Sequence, residues 1–99
     1  MPLLDDNTIE ERLKELSHWE QVENEISRNF VCTDFRTAIN FVNLVADLAE
    51  EMDHHPDILI HSWNNVSVTL STHSEGGLTA KDFGLADKIQ ALFASLNVA

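Results

Sequence analysis

The sequence predicts an α+β fold: a four-stranded antiparallel sheet with three helices packed on one of its faces, in the order α-β-β-α-β-β-α. Three observations carry that prediction. Apolar residues recur at three- and four-residue steps in three separate stretches. Between these stretches lie two pairs of shorter segments in which the period falls to two. In the clearest of these, Val66, Val68 and Leu70 alternate with Ser67, Thr69 and Ser71. One face is therefore apolar and the other hydroxylated, as in an antiparallel sheet covered on one side.

Residues 1–7 read as a loose lead-in. Thr8-Ile9-Glu10-Glu11 fits a capping box, with the Thr8 hydroxyl accepting from the backbone and Glu11 reaching back. Ile9, Leu13 and Leu16 follow at helical spacing, which predicts a first helix over 8–16. Trp19 comes next as a large core residue at a corner. Residues 19–22 form a weak strand, Glu23-Asn24 a tight turn, and Ile26, Arg28, Phe30 and Cys32 one side of the next strand.

Asp34, or Thr33 one residue earlier, caps the longest periodic segment, 35–52. Phe35, Ala38, Val42, Val45, Ala49 and Met52 form one stripe, and Phe41, Leu44 and Leu48 a second beside it. That arc is wider than a helix lying on a sheet needs, which points to a second buried contact, with another copy of the chain favoured over deeper burial inside the monomer. Pro56 stops the helix and holds His55 extended. A strand follows from Ile58 through Trp63, with Asn64-Asn65 as the turn into the Val66 strand. Ser74 to Gly77 is a flexible turn. Thr79-Ala80-Lys81-Asp82 is a second capping box, after which Phe83, Ala86, Ile89, Phe93 and Leu96 mark the last helical stripe.

The 99 residues are expected to make one domain, 1–99, with 43% hydrophobic content, ordinary for a globular core. Seventeen acidic residues against six basic give a formal charge of -11, which repels phosphate backbones and anionic lipid. Neither nucleic acid nor a membrane is an expected partner. No apolar run approaches a membrane span, and no secretory signal is visible. The one cysteine, Cys32, forms no internal disulfide, which fits the cytoplasm.

The chemistry gathers at Glu50-Glu51-Met52-Asp53-His54-His55-Pro56, where a helical pattern gives way to a strand pattern. His54 and His55 close the helix. His73 closes the strand that pairs with the one starting after Pro56, so the three rings meet at one edge of the sheet. Imidazole both gives and takes a proton near neutral pH. Three readings compete. One is general acid–base catalysis on a small polar molecule. Another is a three-histidine zinc site, made awkward because adjacent residues in extended chain point to opposite faces. The third is imidazoles that only satisfy helix-terminal carbonyls. His18 and His61 have no assigned role. Cys32 sits mid-strand as a core residue, and Gly76-Gly77 is too short for a phosphate loop.

Glu50, His54-His55-Pro56, Trp63-Asn64, Val66, Leu70, Thr72-His73, Gly76-Gly77-Leu78-Thr79 and Asp82 together resemble the signature of the pterin-4a-carbinolamine dehydratases, also called 4a-hydroxytetrahydrobiopterin dehydratases. The resemblance spans nearly the whole chain. It departs from the family pattern by one extra residue between Pro56 and Trp63, for which a strand bulge is the expected remedy.

The resemblance implies a hydro-lyase without metal or cofactor. It removes water from a 4a-hydroxytetrahydropterin to give the quinonoid dihydropterin, in tetrahydrobiopterin recycling. His54, His55 and His73 would be the catalytic imidazoles, with His54 and His73 as the proton-transfer pair and His55 holding the substrate. The backbones of His54, His55 and Pro56, and of Thr72, His73, Ser74 and Glu75, would line the pterin pocket. Trp63 would stack on the ring. Glu50, one helical turn before His54, would orient that imidazole. Asp82 is a supporting residue whose capping role already accounts for it. The resemblance also implies a homodimer or homotetramer, through the 35–52 helix, the sheet edge or both. The competing function is a non-catalytic oligomeric module that stabilises a partner protein.

Overall fold

The structure is a computed structural model of the chain and describes residues 2–96. Met1 of the expected lead-in, and positions 97–99 at the end of the expected domain, lie outside the described residues. The elements run α1 (Asp6–Lys14), β1 (Glu20–Val22), β2 (Glu25–Val31), α2 (Phe35–Met52), β3 (Asp57–His61), β4 (Asn65–Leu70), a 3-10 turn (His73–Glu75) and α3 (Ala80–Leu96). The order α-β-β-α-β-β-α agrees with the sequence expectation. The four strands form one sheet in the order β1-β2-β4-β3, each neighbour antiparallel.

Period-two alternation sets the layers. Ile26 and Phe30 from β2, and Val66, Val68 and Leu70 from β4, are all buried on the helix-facing side. Ser67 and Thr69 lie between them on the other face, only half-buried. Ala38, Phe41, Val45 and Ala49 come down from α2, and Phe83, Ala86, Ile89 and Phe93 from α3. Phe30 is the hub, its ring centroid 4.9 Å from both Phe41 and Phe93 and 6.1 Å from Trp19, which meets it edge-on. Arg28 shares this face. Its guanidinium lies 4.3 Å over the Phe30 ring and donates from Nη1 to Gln90 Oε1 at 3.2 Å, while its buried Nε has no hydrogen-bond partner among the described residues.

Several boundaries differ from the sequence reading. Helix α1 starts before Thr8 because Asp5, in extended backbone, accepts from the Thr8 N–H at 2.8 Å. Asp5 is the cap, and Thr8 is inside the helix. Those hydrogen bonds from Thr8 hold the Asp5 carboxyl below its ordinary pKa. Asp34 caps α2 as expected, accepting from the Thr37 N–H at 2.8 Å, and its carboxyl is depressed for the same reason. On α2, Phe41 faces the core at 0% exposure, whereas Phe35 is 54% exposed. The inward stripe is therefore Ala38, Phe41, Val45 and Ala49, and Leu44 is the residue of the second stripe that stays exposed.

The β3–β4 hairpin also differs. The strand ends at His61, not Trp63, and the turn is Ser62, Trp63 and Asn64. Ser62 and Trp63 both take left-handed backbone, with φ 49° and 57°. Asn64 accepts from the Cys32 N–H at 2.8 Å and donates its side-chain amide to the Cys32 carbonyl at 2.9 Å. That pairing extends the β2–β4 ladder by one residue and fixes where the chain turns. The β3–β4 register is unbroken from Asp57 opposite Thr69 to His61 opposite Asn65. The extra residue is absorbed in the turn, and no bulge forms.

Candidate functional site

The site lies where β3 begins and β4 ends. Because Asp57 pairs with Thr69, the residues just before β3 and just after β4 are brought together. A cavity of about 240 Å³ opens there, lined by Asp53, His54, His55, Ser71, Thr72, His73, Ser74 and Lys81. All three histidines singled out from the sequence border it. His18 and His61 do not.

The exit from α2 sets the first two rings. Asp53 closes the helix in left-handed backbone, φ 49°, three residues before the proline. Its N–H bonds to Glu50 O at 3.2 Å, and the His54 N–H returns to Ala49 O at 3.0 Å. This is the Schellman arrangement, with an aspartate in the position usually held by glycine. The reversal drops the His54 ring inward and leaves His55 outside: His54 is 9% exposed, while the His55 side chain is 60% exposed. Opposite facing of adjacent residues is the outcome expected for this junction.

His54 is held by a buried network. Its Nε2 lies 2.6 Å from Asp82 Oδ1. Asp82, wholly buried, accepts at Oδ2 from the Thr72 hydroxyl at 2.8 Å and from the Thr79 N–H at 2.9 Å. The second oxygen thus completes the expected capping box at the start of α3, and the first is left for the imidazole. The Thr72 and Thr79 hydroxyls are 2.8 Å apart. Since Thr72 gives its proton to Asp82, Thr79 donates to Thr72. With Asp82 as a carboxylate, Nε2 of His54 carries a proton, and Nδ1 is the atom left to bind or release one.

Glu50 does not reach His54. Its Oε2 pairs instead with Nε2 of His55, and both side chains are exposed. The left-handed residue at Asp53 breaks the helical phase, so residue 54 is not one turn above Glu50. His73 begins the 3-10 turn and is exposed, and its ring makes no hydrogen bond among the described residues. Its loop is closed by Thr72 N to Gly77 O at 2.9 Å and by Gly76 in left-handed backbone, φ 74°. A Cβ on Gly77 would come within 3.1 Å of Leu3 Cδ2, so the N-terminal arm packs directly on this loop.

The remaining expected site residues divide. Thr72 and Ser74 line the cavity, whereas Pro56 and Glu75 do not. Trp63 sits in the turn at the far end of the hairpin, about 17 Å away along five residues of strand. It is 62% exposed, and stacking on a molecule held by these histidines is out of its reach within one chain. Sequence reasoning missed Lys81, half-buried at the cavity wall and without an ion pair among the described residues. The capping box already placed residue 81 in the first turn of α3 beside Asp82, which was the available signal. Among the described residues no group of three or more His, Cys, Asp or Glu is placed to hold a metal ion.

Comparison with known proteins gives a consistent result. The family model described as Pterin 4 alpha carbinolamine dehydratase matches residues 2–92. A protein of Herpetosiphon aurantiacus named "Putative pterin-4-alpha-carbinolamine dehydratase" is 46% identical over 95 residues, covering 96% of this chain and 98% of that protein. The crystal structure of a transcriptional coactivator/pterin dehydratase from Brucella melitensis superposes with a TM-score of 0.86 at 39% identity, over 91% of this chain and 97% of that one. A pterin dehydratase-like protein described as a RuBisCO assembly factor in the alpha-carboxysome aligns with a TM-score of 0.61 at 21% identity, over 75% and 84% of the two chains. At that identity the likeness is one of fold alone.

Proposed function

The chain belongs to the pterin 4 alpha carbinolamine dehydratase family, and from that premise we propose that it removes water from a 4a-hydroxytetrahydropterin by histidine acid–base catalysis, in the recycling of tetrahydropterins. The observation that carries this reading is the meeting of His54, His55 and His73 at one small cavity, with His54 backed by the buried Asp82 carboxylate.

The chemistry requires two proton transfers. An imidazolium protonates the C4a hydroxyl, and the C4a–O bond breaks as water leaves. The N5 lone pair forms the C4a=N5 double bond, and a neutral imidazole takes the N5 proton. The product is the quinonoid dihydropterin, and one proton passed between the rings through solvent resets the pair. His54 and His73 are the pair, and His55, steadied by Glu50, holds the substrate. Asp82 serves His54 in either role, because it stabilises the charged ring whichever step creates it. The residues themselves suffice for this scheme, so no cofactor is invoked. The test is the decay of a freshly generated 4a-carbinolamine, followed by stopped-flow absorbance. Catalytic amounts of the chain are expected to speed the decay at least tenfold. Decay at the buffer rate would refute the activity.

The same reading makes 1–99 a single domain acting in the cytoplasm. It also makes the protein a homodimer or homotetramer. Leu44, exposed on α2, and Leu59, 60% exposed on the edge strand β3, supply uncovered apolar surface on the two elements expected to pair. Light scattering is expected to find two or four chains, and Leu44→Glu to shift the assembly to a smaller species. A monomeric parent protein would contradict this. The non-catalytic module makes the opposite prediction for function, which would then follow the Leu44 change and ignore the histidines.

A further inference from the structure

Building on the dehydratase reading, we propose that two copies of the chain complete each other's sites: β3 pairs antiparallel with β3 of a second copy, and Trp63 of that copy stacks on the pterin held at His54, His55 and His73 of this one. Within a single chain Trp63 has no such use. Its turn lies a strand's length from the histidine cavity. Its side chain is 62% exposed and makes no ring contact or hydrogen bond among the described residues. Ser62 and Trp63 both hold left-handed backbone, φ 49° and 57°, which is strained for a bulky residue. An indole held out on strained backbone does nothing for its own core.

Strand β3 is the edge that brings it to a partner. The Cys32 N–H bonds to Asn64 O, so even-numbered residues of β4 turn their backbone groups toward β2 and odd-numbered ones toward β3. Opposite those odd positions stand Asp57, Leu59 and His61. Ile58 and Ile60 therefore turn their N–H and C=O groups outward, at the open end of the β1-β2-β4-β3 order. In a symmetric pair centred on Leu59, Ile58 of each copy meets Ile60 of the other and they exchange ladder hydrogen bonds. Leu59, 60% exposed, packs on its own symmetry mate, and Asp57 faces the partner's His61. This register pairs β3 over its whole length and sets an acid opposite an imidazole.

The same register, carried past the strand, sets residue 63 of one copy opposite residue 55 of the other, with neighbouring strands about 5 Å apart. His55 lines the histidine cavity. Pro56 has no N–H to give, so the ladder stops there and the copies can part at the cavity mouth. The partner's Trp63 then lies beside the flat face of a bound pterin. Stacking and exclusion of water hold the ring against the imidazoles.

Complementation between two variants tests the sharing, with each sample first sized by light scattering. Trp63→Ala alone is expected to lose about tenfold in kcat/KM, mostly through KM, and Trp63→Phe to stay within about threefold of the parent. His73→Ala alone is nearly inactive. When Trp63→Ala and His73→Ala chains are co-expressed in equal amounts, about half of the dimers are mixed, and each mixed dimer holds one complete site. The co-expressed protein is expected to reach about a quarter of the parent kcat/KM per chain, against about one twentieth if each Trp63 served its own chain. A monomeric parent protein, parent-level kcat/KM in Trp63→Ala, or a mixture no better than the average of its two components overturns the shared site and leaves the dehydratase reading standing. A parent protein without turnover overturns the dehydratase reading and the shared site with it.

Discussion

Replacing His73 by alanine is expected to lower carbinolamine turnover by about 10²- to 10⁴-fold, the usual contribution of one positioned acid or base. His73 is exposed and its ring makes no hydrogen bond among the described residues, so its removal leaves the core untouched. Circular dichroism and the melting temperature are expected to stay at parent values. His54→Ala is expected to lose turnover to a similar degree, but it also strands the buried Asp82 carboxylate and lowers stability. His73→Ala is thus the cleaner kinetic probe and His54→Ala the one that needs a folding control. Full activity in both variants, measured with the stopped-flow assay, would remove the catalytic assignment.

The largest combined effect is expected at Asp82. Its two oxygens accept from Thr72, from the Thr79 N–H and from His54, and it has no exposed surface. Alanine there unties the start of α3, the strand leading into the His73 loop and the His54 ring together. Removing their shared acceptor leaves the buried Thr72 hydroxyl, Thr79 N–H and His54 ring unsatisfied, at about 1–3 kcal/mol for each. In a domain of this size that lowers the melting temperature by some tens of degrees, on the order of 4–8 °C for each kcal/mol. Asp82→Asn separates positioning from folding. The amide oxygen can keep the Thr72 and Thr79 bonds, while its NH2 group now faces His54. An amide NH2 can only donate, so the His54 Nε2 must become an acceptor and the proton moves to Nδ1. Nitrogen NMR of the imidazole is expected to report that tautomer change, along with a fall in kcat. A folded Asp82→Asn protein with the parent tautomer and parent kcat would reduce Asp82 to a helix cap.

Most of the architecture was legible because it rests on local periodicity. Ile26 and Phe30, then Val66, Val68 and Leu70, alternate in sequence and are buried on one face in the structure. The site was legible to the extent that topology alone gathered it, since a hairpin sets the residues entering its first strand beside those leaving its second. The misreadings arose where a single backbone torsion or a distant partner decides. Glu50 looked like the partner of His54 because residues four apart share a helix face. The left-handed Asp53 breaks that rule, and the carboxylate goes to His55. Trp63 looked like strand because it continues the alternation through His61. What ends β3 is Asn64 pairing with Cys32, a residue 32 positions away. Asp82 announced its capping role three residues from Thr79, but nothing local marks its second oxygen as the partner of a ring 28 residues earlier. Phe41 and Phe35 exchanged roles because two adjacent apolar stripes on one helix do not state which faces the sheet.

The claim under all of this is that three imidazoles share one small reduced heterocycle. Histidine ring nitrogens, observed by NMR while a tetrahydropterin lacking the 4a-hydroxyl is titrated in, test it most directly. The resonances of His54, His55 and His73 are expected to shift together with one dissociation constant, while those of His18 and His61 stay in place. Saturating ligand that moves His18 or His61 instead, or leaves the other three unchanged, would contradict the account.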